Sequence, residues 1–278
     1  MGFKDILVHV DATASSRTRL QIGLTLARGF GARMAGLHVI PEPAVPPYFK
    51  PSVVERIAAI YAENAREAAA AAEVLFRQET KDAGVSTVWE CIAGDMEVMI
   101  GERARFADLL VLGQFDTENP PMISAFLLPA KVVFGAATPI LVVPNAWSFG
   151  DVGRSVVIAW DGSREAARSI RDAMPFLEVA ERVLVLALDP ERQGHMHAGA
   201  HTDEIVAYLN RHGVRVEAAE MRSDSKGVTM DLLEQTDRHS ANLLVMGAYG
   251  HSPLWEFAVG GTTANVLEQT TIPVLMSR

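Results

Sequence analysis

The chain has a single cysteine, Cys91, among its 278 residues. One thiol excludes an intrachain disulfide and any metal site built on clustered cysteines; a small residue in a strand is role enough for it. Long apolar runs are also missing, and no uninterrupted hydrophobic stretch approaches the ~20 residues that a membrane helix requires. The first ten residues carry Lys4 and Asp5 within a short strand-like run, without the basic and apolar regions of a signal peptide. A cytoplasmic protein with no membrane partner is expected. Positive charge is scarce: 25 Lys and Arg stand against 34 Asp and Glu, a formal net charge of −9. Without a dense basic patch, a nucleic-acid partner is not expected. Nor is there a G-x-S-x-G elbow, an H-E-x-x-H helix or a kinase signature set. Glu97 with Glu102 and Asp231 with Glu234 read as solvated helix faces, so no catalytic constellation emerges.

What the chain does have is a globular composition, 49% hydrophobic and 21% charged, with length comfortable for two domains. Short apolar runs alternate with amphipathic stretches. Ile6 to Val10, Ala35 to Ile40, Val85 to Ile92, Leu109 to Leu112 and Ile140 to Val143 read as strands. Helical spacing runs to about Phe30, over Val53 to Ala83 and over Glu97 to Arg105. The second half repeats the order, with strands Ser155 to Trp160, Arg182 to Leu188, Val214 to Ala219, Leu243 to Met246 and Ile272 to Met276. Its helices are expected after Asp161, over Ile205 to Arg211 and over Met230 to His239. Gly113 aligns with Gly247 and Pro139 with Pro273 at one offset of 134 residues, the mark of a duplication. Pro, Asn and Gly interrupt the apolar runs from Pro144 to Gly153, which sets expected domains at 1–146 and 151–278. Strand and helix in alternation imply an α/β fold, two tandem open five-stranded parallel sheets flanked by helices. Ligands of such sheets lie outside the carboxyl ends of the strands.

The most informative stretch runs from Asn242 to Leu267. A short strand ends at Met246, then come Gly247, two residues, Gly250, nine residues, Gly260 and Gly261, and a helix opening on Thr262 and Thr263. Such a loop can present bare N–H groups at the positive end of a helix dipole, a place for phosphate. Gly247 and Gly250 allow a sharp turn and a close backbone approach; Thr262 or Thr263 adds a hydroxyl or a cap. The spacing is neither the Walker nor the dinucleotide pattern. Asp161, directly after the first strand of this half, is placed either to bond a ribose hydroxyl or adenine amino group, or to cap the next helix. Its coincidence with the glycine loop favours a ligand.

Two copies of a five-strand unit, an Asp after strand one, G-x2-G-x9-G after strand four and a closing I-P-V strand resemble the universal stress protein family in its tandem form. The resemblance covers both halves and implies a Rossmann-like, adenine-nucleotide alpha-hydrolase-like fold, one branch of which binds ATP. Carried over residue by residue, it implies that Ala159, Trp160 and Asp161 meet adenine and ribose and that Leu188 flanks the base. Met246, Gly247 and Gly250 would line the ribose and phosphate path, while Gly260, Gly261, Thr262 and Thr263 hold phosphates, with Mg²⁺ as their companion ion. One departure is that Gly261 stands where that branch has Ser or Thr. Tyr249, His251, Trp255 and Glu256 also make the loop bulky.

The first half departs further. At the 134 offset, Gly250 becomes Asp116, Gly260 becomes Phe126 and Gly261 becomes Leu127. No triphosphate site is therefore expected in residues 1–146, despite Asp11. His195, His197 and His201 form H-x-H-x3-H, which offers a Zn²⁺ alternative, although no carboxylate or thiol completes a clear set. The resulting expectation is a stress-response sensor whose C-terminal half binds an adenine nucleotide and signals to a regulatory protein. Its rivals are a slow nucleotide hydrolase, at most a weak ATPase, and a nucleotide-free interaction protein or carrier of another small ligand. The last strands, PILVVP and IPVLMS, are expected to pair the halves as an intrachain pseudo-dimer, and the same edges would serve a homodimer.

Overall fold

The structure is a computed structural model that describes residues 2–42, 51–114, 128–148, 150–188, 198–221, 227–248 and 261–278. The chain divides into two compact units, Phe3–Thr138 and, for most of the other, Pro139–Arg278.

In the N-terminal unit, β1 (Asp5–His9), β2 (Arg33–Pro41), β3 (Thr87–Gly94) and β4 (Leu109–Gly113) lie in the order β3-β2-β1-β4, all parallel. Ile6, Leu7, Val8 and Leu109 to Leu112 are buried, as expected of strands covered on both faces. Helices α1 (Ser15–Phe30), α2 (Pro51–Thr80), α3 (Met96–Ala104) and α4 (Leu128–Gly135) connect them. α1 stops at Gly31, whose left-handed φ of 63° lets its N–H return to the carbonyls of Ala27 and Arg28. α1 and α2 are tied through one carboxylate: Arg17 Nε donates to Glu79 Oε1 and Gln21 Nε2 to Glu79 Oε2, each at 2.9 Å.

The C-terminal unit holds β5 (Ile140–Val143), β6 (Ser155–Trp160), β7 (Arg182–Leu188), β8 (Val216–Met221), β9 (Leu243–Gly247) and β10 (Val274–Ser277) in the order β5-β10-β9-β6-β7-β8. β5, which the repeat assigns to the first half, lies in this unit and pairs antiparallel with β10, Leu141 opposite Leu275. Its four residues, Ile140 to Val143, are all apolar and all buried, as expected of a strand covered on both faces. The other pairings are parallel.

α5 (Arg164–Leu177), α6 (Ala198–Arg211), α7 (Val228–Arg238) and α8 (Thr262–Gln269) complete the unit. α5 buries Ala166, Ile170, Ala173 and Leu177, about one turn apart. α6 starts seven residues ahead of the sequence expectation, at Ala198 rather than Ile205, and α4 had no sequence forecast at all. Neither start carries a capping signal, and apolar LPAKVVFG is as legible as strand as it is helix.

Candidate functional site

The carboxyl ends of β6 and β9 lie side by side, because Ala159 and Met246 are register partners in neighbouring parallel strands. Both residues are buried, at 4% and 6% exposure, so they floor the crevice rather than protrude into it. Asp161 follows directly. Its Oδ1 accepts from the Ser163 N–H at 2.9 Å, an Asx turn that aims the chain into α5. The cap of α5 is Ser163, whose Oγ accepts from the Ala166 N–H at 3.1 Å. Of the two roles open to Asp161, capping is thus discharged by its neighbour.

Gly247 ends β9, and its missing side chain has a packing reason. A Cβ there would stand 2.6 Å from the Ala166 nitrogen and 2.9 Å from the Glu165 carbonyl carbon. The first turn of α5 therefore stands where a side chain at 247 would point. Glu165 beside it is buried, its carboxylate held by Arg164 Nε at 2.5 Å. One turn on, the Ser169 hydroxyl donates to the Met246 carbonyl at 2.7 Å and accepts from the Ser277 N–H at 3.0 Å, pinning α5 to β9 and β10. α8 begins after Gly261, which supplies no side-chain cap; Thr262 is exposed and Thr263 buried.

Trp160 closes β6. It is 7% exposed, and its Nε1 is buried with no hydrogen-bond partner among the described residues. Beside it opens a cavity of about 460 Å³, lined by Trp160, Gly162 and, from one face of α6, Glu204, Ile205, Tyr208 and Arg211. Tyr208 also packs on His212, ring centroids 4.6 Å apart. These α6 residues carry no motif; their one-turn spacing in a helix after strand two is the only trace of them in the sequence. Leu188 ends β7, paired with Met221. Gly250 and Gly260, like Tyr249, His251, Trp255, Glu256, His195 and His197, lie outside the described residues. His201 falls within α6. Among the described residues, no group of three His, Cys, Asp or Glu is placed to hold a metal ion.

The matching crevice of the N-terminal unit is built differently. Asp11 Oδ1 accepts from the Thr13 N–H at 2.9 Å, from the Thr13 hydroxyl and from the Ser16 hydroxyl at 2.7 Å. Its Oδ2 pairs with Arg19 Nη2 at 2.8 Å. Arg19 is 3% exposed; it also donates to the His9 carbonyl at 3.1 Å and to Ser16 Oγ at 2.5 Å. Its guanidinium lies where a Cβ on Gly113 would stand. Burial pushes the Asp11 carboxyl up, but Arg19, with His9 and the two hydroxyls, pulls it further down, below the usual carboxylate range. His9 is buried, its Nε2 without a partner among the described residues. Burial lowers its pKa to about 4; Asp11 opposes that shift, and Arg19 and His38 add to it.

A sequence model described as the universal stress protein family matches residues 2–144 and 154–278. Universal stress protein Slr1230 of Synechocystis sp. is 25% identical over 193 residues, a match that spans 68% of this chain and 60% of that relative. The fold is similar to that of a universal stress protein from Archaeoglobus fulgidus, with a TM-score of 0.71, 16% identity, and 99% and 96% of the two chains covered. It is also similar to that of a functionally unknown protein, PA1789, from Pseudomonas aeruginosa, with a TM-score of 0.60, 15% identity, and 99% and 92% covered. At such identities the structural likeness speaks for the fold alone.

Proposed function

The chain belongs to the universal stress protein family, and from that premise we propose that its C-terminal unit binds an adenine nucleotide, ATP as the fullest occupant, and signals this state to a regulatory protein. One observation carries the reading: Asp161 and Gly247 leave neighbouring strands at the carboxyl edge of a parallel sheet, where open sheets take their ligands. The aromatic cavity at Trp160 adjoins Asp161 through Gly162. Asp161 is offered to ribose, Trp160 and Leu188 to the base, and the uncapped start of α8, with Gly260 to Thr263, to the phosphates. Mg²⁺ would travel with those phosphates. Bridging Asp161 to α8 ties the exit of β6 to the helix after β9, which alters the surface offered to a partner.

ATP titrated into the intact chain is expected to raise its melting temperature, by the equivalent of about 2.7 kcal/mol when ATP is at a hundred times Kd. Asp161→Ala and Gly260→Asp should remove most of that rise. A melting temperature unmoved by millimolar ATP would end the proposal, and phosphate release above the Gly260→Asp background would move the protein into the hydrolases.

A further inference from the structure

We infer that the ring end of the nucleotide sits in the cavity between Trp160 and α6, with Tyr208 and Arg211 deciding which flat heterocycle is accepted. The inference rests on the nucleotide reading above and adds to it the helix that supplies specificity. Size comes first. A cavity of about 460 Å³ lies within the range of small-molecule pockets, roughly 300–1,000 Å³, and has room for a purine and its ribose. Chemistry comes second. Trp160 supplies an aromatic wall beside the cavity, a surface on which a flat ring stacks better than an aliphatic chain does.

Across from it, α6 presents a carboxylate, an aliphatic side chain, a phenol and a guanidinium at successive turns of one face: Glu204, Ile205, Tyr208 and Arg211. Arg211 has no ion-pair partner among the described residues. Donors and an acceptor around an aromatic wall match a ring whose rim carries both kinds of group, and match an aliphatic chain poorly. The arrangement belongs to this half alone. At the end of β1 the corresponding residue is Val10, and the helices flanking it are joined by Glu79.

The test separates ring from phosphates. Calorimetry with adenosine, ATP and inorganic tripolyphosphate is run on the full chain and on Tyr208→Ala, Arg211→Ala, Arg211→Gln and Trp160→Phe, each first shown by circular dichroism to melt as a folded protein. The α6 substitutions are expected to weaken adenosine and ATP by a common factor of about ten or more, the scale of a lost stacking or charged hydrogen-bond contact, and to leave tripolyphosphate unchanged. Trp160→Phe is expected to abolish the ligand-induced change in indole fluorescence. Adenosine and ATP affinities in all three α6 variants equal to wild type would overturn the inference while leaving the nucleotide reading intact. A wild-type chain that binds neither ATP nor adenosine would overturn the reading itself.

Discussion

The two units build the same crevice and fill it with different things. In the first, Asp11 is consumed by a buried Arg19 and three hydroxyl or amide donors, and the guanidinium takes the room left by Gly113. In the second, Ser169 stands eight residues after Asp161, as Arg19 does after Asp11, and α5 backbone takes the room left by Gly247. The glycine after the penultimate strand is thus a packing requirement in both halves. The two crevices differ at the residue eight positions after the strand-end carboxylate: the long cation Arg19 reaches back to neutralise Asp11, whereas Ser169 bonds the ends of β9 and β10.

The largest way to break that contrast is Arg19→Ser, which gives the first unit the residue of the second. Removing one member of a buried pair strands the other charge; the expected loss is roughly 3 kcal/mol, at the low end for such pairs because Asp11 keeps 31% side-chain exposure. Urea denaturation of the chain measures it, and an unchanged midpoint would mean that the pair holds nothing. Acid comes next. His9 is neutral in the folded chain with a pKa near 4, against 6.5 when exposed, so the unfolded state takes the proton first. Stability is therefore expected to fall as pH drops from about 6.5 to 4, by up to about 3 kcal/mol from this residue. His9→Leu should flatten that interval, as followed by denaturation at each pH.

Gly247→Ala sharpens the packing side of the comparison. The added methyl meets helix backbone rather than a flexible side chain, so destabilisation of about 1–3 kcal/mol is expected, together with a shift of the α5 start that amide exchange at Ala166 would report. The smallest effect is at the cap. Ser163→Ala removes the acceptor for the Ala166 N–H and should cost about 1 kcal/mol. The corresponding helix α1 has Ala14 at its cap, with no side-chain bond to lose.

Much of the scaffold was legible because its signals are local. Runs such as ILVV and SVVIAW admit little besides buried strand, and the repeat itself announced two like units. Arg19 was not legible. As one more charged residue in an amphipathic stretch it looks solvent-facing, and only the approach of α1 to the end of β4 shows that it is buried at 3% exposure. The α6 face went unread for a related reason: Tyr208 and Arg211 gain meaning only from standing across a cavity from Trp160, some 50 residues away in the chain. β5 was read as a strand of the first half, and only its antiparallel pairing with β10 groups it with the second.

The order of the strands, the duplication, the family and the positions of Asp11, Asp161 and the glycines were determined by the sequence alone, since periodicity and spacing are properties of neighbouring residues. Which carboxylate is neutralised, which glycine is filled by a guanidinium and which by helix backbone, and which α6 side chains stand across a cavity from Trp160 were decided only in the tertiary structure. Those outcomes depend on distances between segments far apart in the chain, and burial, not residue type, sets what each charge and each vacant Cβ position can do.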